Sequence, residues 1–179
     1  MALLGKKVAL VGLDIRKPML AHYLNLPSQG CLTSYLSDKA YTLEDLIVPL
    51  GIKNMDVLPA GVVPPNPNEL LQNERLDELF VELRKQYDCV VVDSAPVAMV
   101  SDTFQLARVS DMTVYVSRAN YTTTDMIEFL HQVNEQHRLP QIISVLNGVE
   151  SHKNGYGYGY GYGYGEEKKK NKWWQVKKA

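Results

Sequence analysis

Apolar and polar positions follow two rhythms along this chain. Unbroken apolar runs occur at Val8-Ala9-Leu10-Val11 and at Cys89-Val90-Val91-Val92, the second bounded by Asp88 and Asp93. Four apolar residues without a polar interruption predict parallel strands buried on both faces. Met55-Asp56-Val57-Leu58 is a shorter strand that ends in a turn at Pro59-Ala60-Gly61. Further strands are expected at Met112–Val116, where Thr113, Val114 and Val116 favour extended backbone, and at Gln141–Leu146. The second rhythm is helical. Leu70, Leu71, Leu76, Leu79, Phe80, Leu83 and Tyr87 predict one amphipathic helix or a broken pair, entered through Pro64, Pro65 and Pro67. Ser101-Asp102 opens a helix running through Leu106 and Ala107. Thr122–Asp125 caps another, with Met126, Ile127, Leu130 and Val133 on its apolar side. Pro18 to Asp56 reads as irregular, with short helices near Met19–Leu24, Leu32–Leu36 and Leu43–Ile47. Strands and helices alternate, which predicts an α/β fold with a mostly parallel sheet flanked by helices.

The two ends break this pattern. Ala2-Leu3-Leu4-Gly5-Lys6-Lys7 reads as the last turn of a helix with Gly5 as its stop. A helix end without its beginning predicts an N-terminal truncation. After Glu150, Tyr156, Tyr158, Tyr160, Tyr162 and Tyr164 alternate with glycines, so five of the eleven tyrosines fall in one short stretch. That stretch offers no aliphatic core and carries glycine's full backbone entropy, so residues 151–179 are expected to be a disordered tail and residues 1–150 the folded domain.

Composition and charge narrow the function. With 45% hydrophobic and 22% charged residues over 179 positions, the chain suits a single globular domain. Its net charge of −1 is uneven. Residues 166–179 carry six lysines against two glutamates, leaving −5 on residues 1–165. A mildly acidic body argues against nucleic acid as a partner. The lysine-rich end, Lys168–Lys178 with Trp173 and Trp174, is expected to be solvated, with contact to acidic lipid or an acidic protein face as the alternative. Cys31 and Cys89 have no metal-ligand spacing, and reducing, intracellular conditions are the natural reading. His22, His131, His137 and His152 form no metal or catalytic pattern, and Ser94 lacks a nucleophile-elbow context.

The candidate chemistry sits at strand ends. Ligands of open α/β sheets bind beyond the carboxyl ends of the strands, and Asp14 and Asp93 each follow an apolar strand there. Two carboxylates on one edge suit Mg²⁺, which takes oxygen ligands and keeps waters and substrate phosphates. Arg16 is placed to pair with a phosphate or a carboxylate; the plainer alternative is an Asp14–Arg16 ion pair closing the turn. Asn147 follows the last strand, where Asn also tolerates left-handed backbone. Asp102 is either a partner behind the site or a helix-start residue favoured by the helix dipole.

Taken in order, Val8–Pro18, the Pro64-Pro65-Asn66-Pro67-Asn68-Glu69-Leu70-Leu71 stretch, Asp93–Val97, Asp102 and Val145-Leu146-Asn147 resemble the cytoplasmic domain of bacterial tyrosine kinases. These belong to the capsule and exopolysaccharide co-polymerase family, among the deviant P-loop ATPases that include the Min and Par proteins. The resemblance covers about residues 1–150, and the tyrosine cluster is similar to that family's terminal autophosphorylation site. It implies ATP and Mg²⁺ as cofactors. Asp93 would be the Walker B aspartate. Asp14 and Arg16 would be the later part of the D-x-D-x-R motif, and Asn147 would border the adenine. Tyr156, Tyr158, Tyr160, Tyr162 and Tyr164 would be phosphoacceptors.

The same resemblance implies a homo-oligomer phosphorylated in trans. It also implies a membrane-embedded polysaccharide co-polymerase region, fused or separate, that keeps the protein at the inner face of the membrane. Two departures accompany it. The phosphate-holding Walker A loop is absent, so this chain alone is expected to be inactive. Gly12 stands where the motif has its first aspartate, so the catalytic base falls to Asp14 or the chemistry differs. An inactive phosphoacceptor or assembly module, and a partition-type ATPase, are the alternatives.

Overall fold

The structure, a computed structural model, describes residues 1–26 and 31–150. The tail tyrosines, His152 and the lysine- and tryptophan-bearing end therefore lie outside the described residues. A compact unit spans Met1–Gly148.

Strand β1 (Val8–Gly12) occupies the middle of a four-stranded sheet. On one side lies β3 (Met55–Leu58), parallel and in register from Val8 opposite Met55 to Val11 opposite Leu58. On the other lies β4 (Cys89–Asp93), also parallel, with Val8 opposite Cys89 and Gly12 opposite Asp93. The two-residue β2 (Val48–Pro49) joins β3 antiparallel, an edge strand that no apolar run announces. A second sheet pairs β5 (Thr113–Arg118) with β6 (Ile142–Asn147) in parallel.

The irregular region carries three short helices, α1 (Leu20–Tyr23), α2 (Leu32–Ser37) and α3 (Leu43–Leu46). The long helical pattern resolves as the broken pair α4 (Pro67–Gln72) and α5 (Glu74–Gln86). Asn73 breaks it with extended backbone, and its side chain restarts the helix by accepting the Arg75 N–H at 3.0 Å. Leu76, Leu79, Phe80 and Leu83 fall on one face of α5 and are all buried. Helix α6 (Thr124–Glu135) starts on the Thr123 cap but buries only Leu130 and Val133 of its four expected apolar positions; Ile127 is exposed. The segment Ser101–Arg108 is a 3₁₀ helix. Near the start, Ala2–Leu4 forms one 3₁₀ turn stopped by Gly5 in the left-handed conformation.

One expectation fails. The run Cys89–Val92 is not buried on both faces: β4 is the last strand of its sheet among the described residues, and Val91 is 47% exposed. Apolar composition predicts where a strand would be buried, but an edge position leaves one side without a neighbour. The main buried cluster draws on residues from Ala9 to Val109, centred on β1 and α5, while Leu130 and Val133 of α6 are buried outside it.

Candidate functional site

Parallel pairing of β1 with β4 brings their carboxyl ends side by side. The Asp93 carbonyl accepts the N–H of Leu13 at 2.6 Å and of Asp14 at 3.0 Å, so both sequence-predicted aspartates meet at one sheet edge. The Asp14 carboxylate turns back on its own loop, where Oδ1 accepts the backbone N–H of Arg16 at 3.2 Å and of Lys17 at 2.9 Å. Those bonds fix its direction. Partial loss of water raises the Asp93 pKa, and the neighbouring Asp14 charge adds to the shift. Two like charges held together in this way form a place that a cation would relieve.

Arg16 does not pair with the Asp14 side chain. Its Nε donates to Asp102 Oδ2 at 2.6 Å, across 86 residues of sequence. Asp102 is 4% exposed, whereas the Arg16 side chain remains 45% exposed. The neighbouring Thr103 donates its hydroxyl to the Ala95 carbonyl at 2.7 Å, tying the same segment to the turn after β4. Sequence reading places Asp102 at a helix start without finding its partner, and it gives no signal for Thr103. Gly12 is packed closely, since an added Cβ would lie 3.0 Å from the Ala60 backbone nitrogen and 3.3 Å from a Leu20 methyl.

Asn147 ends β6 in the other sheet. Its Oδ1 accepts the Gly148 N–H at 2.8 Å, and Gly148, not Asn147, takes the left-handed backbone. No hydrogen bond among the described residues joins Asn147 to Asp14, Arg16 or Asp93.

Among the described residues no three His, Cys, Asp or Glu side chains gather as a metal cluster. Two carboxylates with room for water and phosphate oxygens fit Mg²⁺, which rarely takes an all-protein cage. The crevice between Asp14, Arg16, Ala95, Asp102 and Leu106 has a volume of only about 10 Å³. A crevice of that size does not admit a nucleotide. The roomier depression along α5, about 570 Å³, is lined by Glu74, Asp77, Glu78 and Glu82 against the single cation Lys85, a net negative lining that disfavours phosphate. No helix among the described residues is long and apolar enough to cross a membrane.

No protein-family model matches the chain. It is 33% identical to the tyrosine-protein kinase YwqD of Bacillus subtilis over 150 residues, which is 84% of this chain and 63% of that protein. The solved VpsO kinase domain superposes with a TM-score of 0.73 at 33% identity, covering 81% of this chain and 71% of that one. The cell-division protein MinD of Pyrococcus horikoshii, solved with Mg-ADP, shares the fold with a TM-score of 0.65 at 19% identity. The chain spans between 21% and 63% of the length of the first curated relatives it matches. With its parallel α/β sheet, its paired strand-end aspartates and this likeness to kinase domains, the chain belongs to the bacterial tyrosine kinase family.

Proposed function

We propose that this chain is the metal-holding part of an ATP-dependent protein-tyrosine kinase acting in capsular or exopolysaccharide synthesis. The full-length protein transfers the γ-phosphoryl group of ATP to tyrosine hydroxyls, chiefly Tyr156, Tyr158, Tyr160, Tyr162 and Tyr164 of its own tail or a neighbouring subunit's. The observation that carries this reading is the meeting of Asp14 and Asp93 at the β1 and β4 ends, with Arg16 beside them. Mg²⁺, when bound, neutralises the charge that develops on the transferred phosphoryl group.

The protein's own residues supply positions. Asp93 and Asp14 hold or orient the cation through carboxylate oxygens, and the Oδ1 bonds of Asp14 to its loop keep the other oxygen aimed. Arg16 offers its guanidinium to a phosphate oxygen. Gly12 contributes no side chain, so Asp14 is the candidate for orienting the tyrosine hydroxyl. Asn147 is assigned to the adenine edge. In this reading a further strand lies beside the open edge of β4 and carries the phosphate-holding loop. A membrane-embedded co-polymerase region keeps the whole at the inner face of the membrane.

The test is ATP-Mg²⁺-dependent phosphotyrosine formation by the full-length protein, with the modified residues mapped by mass spectrometry. Asp93→Asn is expected to cut the rate at least roughly hundredfold. Equal signal from wild type and Asp93→Asn refutes the assignment of the metal site.

A further inference from the structure

The 3₁₀ segment Ser101–Arg108 is clamped at both ends. At its start, Thr103 bonds the Ala95 carbonyl. At its end, Arg108 donates Nη2 to the Leu71 carbonyl at 2.8 Å and Nε to Asp77 Oδ1 at 3.0 Å. From this fixed segment Asp102 reaches the β1 loop through Arg16. The β1 loop is in turn joined to β4 through the Asp93 carbonyl. Three separate stretches of chain thus close a polar ring around the strand ends.

Within that ring the use of Arg16 is one-sided. A guanidinium has five N–H donors, and Asp102 takes only Nε. Among the described residues no acceptor meets either Nη group, and the side chain is 45% exposed. A buried carboxylate is costly unless paired, so Asp102 has reason to keep its hold on Nε. We propose that Asp102 is a positioning residue: it fixes Arg16 through Nε so that both Nη groups face a phosphate oxygen at the ends of β1 and β4. The proposal rests on the phosphotransfer reading above.

Charge and orientation predict opposite results, which makes the idea testable. Asp102→Asn removes a negative charge near the phosphate, so attraction for the nucleotide is not weakened. What is lost is the direction of the guanidinium. In the full-length protein, Asp102→Asn is expected to lower kcat for tail phosphorylation roughly ten- to hundredfold. KM for Mg-ATP should stay within about threefold, and Asp102→Glu should restore part of the rate. In an Arg16→Ala background Asp102→Asn should cost nothing further. An unchanged kcat, or a full additional loss in that background, overturns the proposal.

The wild-type chain gives a check that needs no variant. Its Arg16 Nε–H should appear in a ¹⁵N–¹H spectrum as a protected, hydrogen-bonded resonance that shifts on titration with inorganic pyrophosphate. A rapidly exchanging, unshifted Nε–H overturns the proposal even if Asp102→Asn fails to fold. If the full-length wild type makes no phosphotyrosine while this resonance is protected and responds to pyrophosphate, the kinase reading fails and the positioning of Arg16 for an anion stands.

Discussion

Val11 in β1 and Val145 in β6 lie in apolar parallel strands of similar composition, yet Val11 is fully buried and Val145 is 44% exposed. The difference is neighbours. β1 has β3 and β4 at its sides, and its residues join α5 in the core. β6 has β5 alone among the described residues, and Val114, Val116, Ile143 and Leu146 of this pair are exposed as well. An apolar strand is a demand for burial, and the central strand β1 meets that demand while the β5–β6 pair and the edge strand β4 meet it only in part. The candidate site follows the same division: Asp14, Arg16, Asp93 and Asp102 belong to the packed region, while Asn147 stands on the exposed pair.

The sharpest way to break this comparison is to remove core volume on each side of it. Leu83 is fully buried in α5, so Leu83→Ala should cost about 2–5 kcal/mol. Val145→Ala should cost about 1 kcal/mol or less, because much of that side chain is already in water. Denaturant midpoints measure both, and equal losses would erase the distinction between the two sheets.

Gly12 tests how tightly the packed region closes around the site. Asp at this position restores the residue type of the family motif but must push against the Ala60 backbone and Leu20. Gly12→Asp is expected to destabilise by about 1–3 kcal/mol. A variant as stable as wild type would show that the β1 end can open to admit a side chain.

The smallest effect concerns Asp93, on the last strand of the packed sheet. Its raised pKa means that the folded state binds this proton more readily than the unfolded chain does. That contribution is fully present below the ordinary carboxylate pKa and is lost as pH rises through the raised value. Asp93→Asn removes this dependence. It should melt about 1–2 °C above wild type at neutral pH, with the gap closing in acid. A variant that melts lower at neutral pH would show that Asp93 is not crowded. Higher stability combined with lost phosphotransfer would mark the residue as kept for chemistry rather than for the fold.

Much of the fold was legible in the residues themselves. The unbroken runs Val8–Val11 and Cys89–Val92, the helical spacing from Leu70 to Leu83 and the threonine cap before α6 each impose local structure, because side-chain period and capping act over a few residues. The placement of Asp14 and Asp93 at strand ends followed from the same signals. What the chain could not announce locally are relations between distant segments. Asp102 and Arg16 are 86 residues apart, and nothing near either one tells of the other. The exposure of Val91 depends on which strand ends the sheet, and β2 exists because β3 offers it an edge. Local sequence determined which pieces this protein has. Tertiary structure alone decided which carboxylate holds the arginine and which apolar strands reach the core, because hydrogen bonding and burial depend on the neighbours that the whole fold supplies.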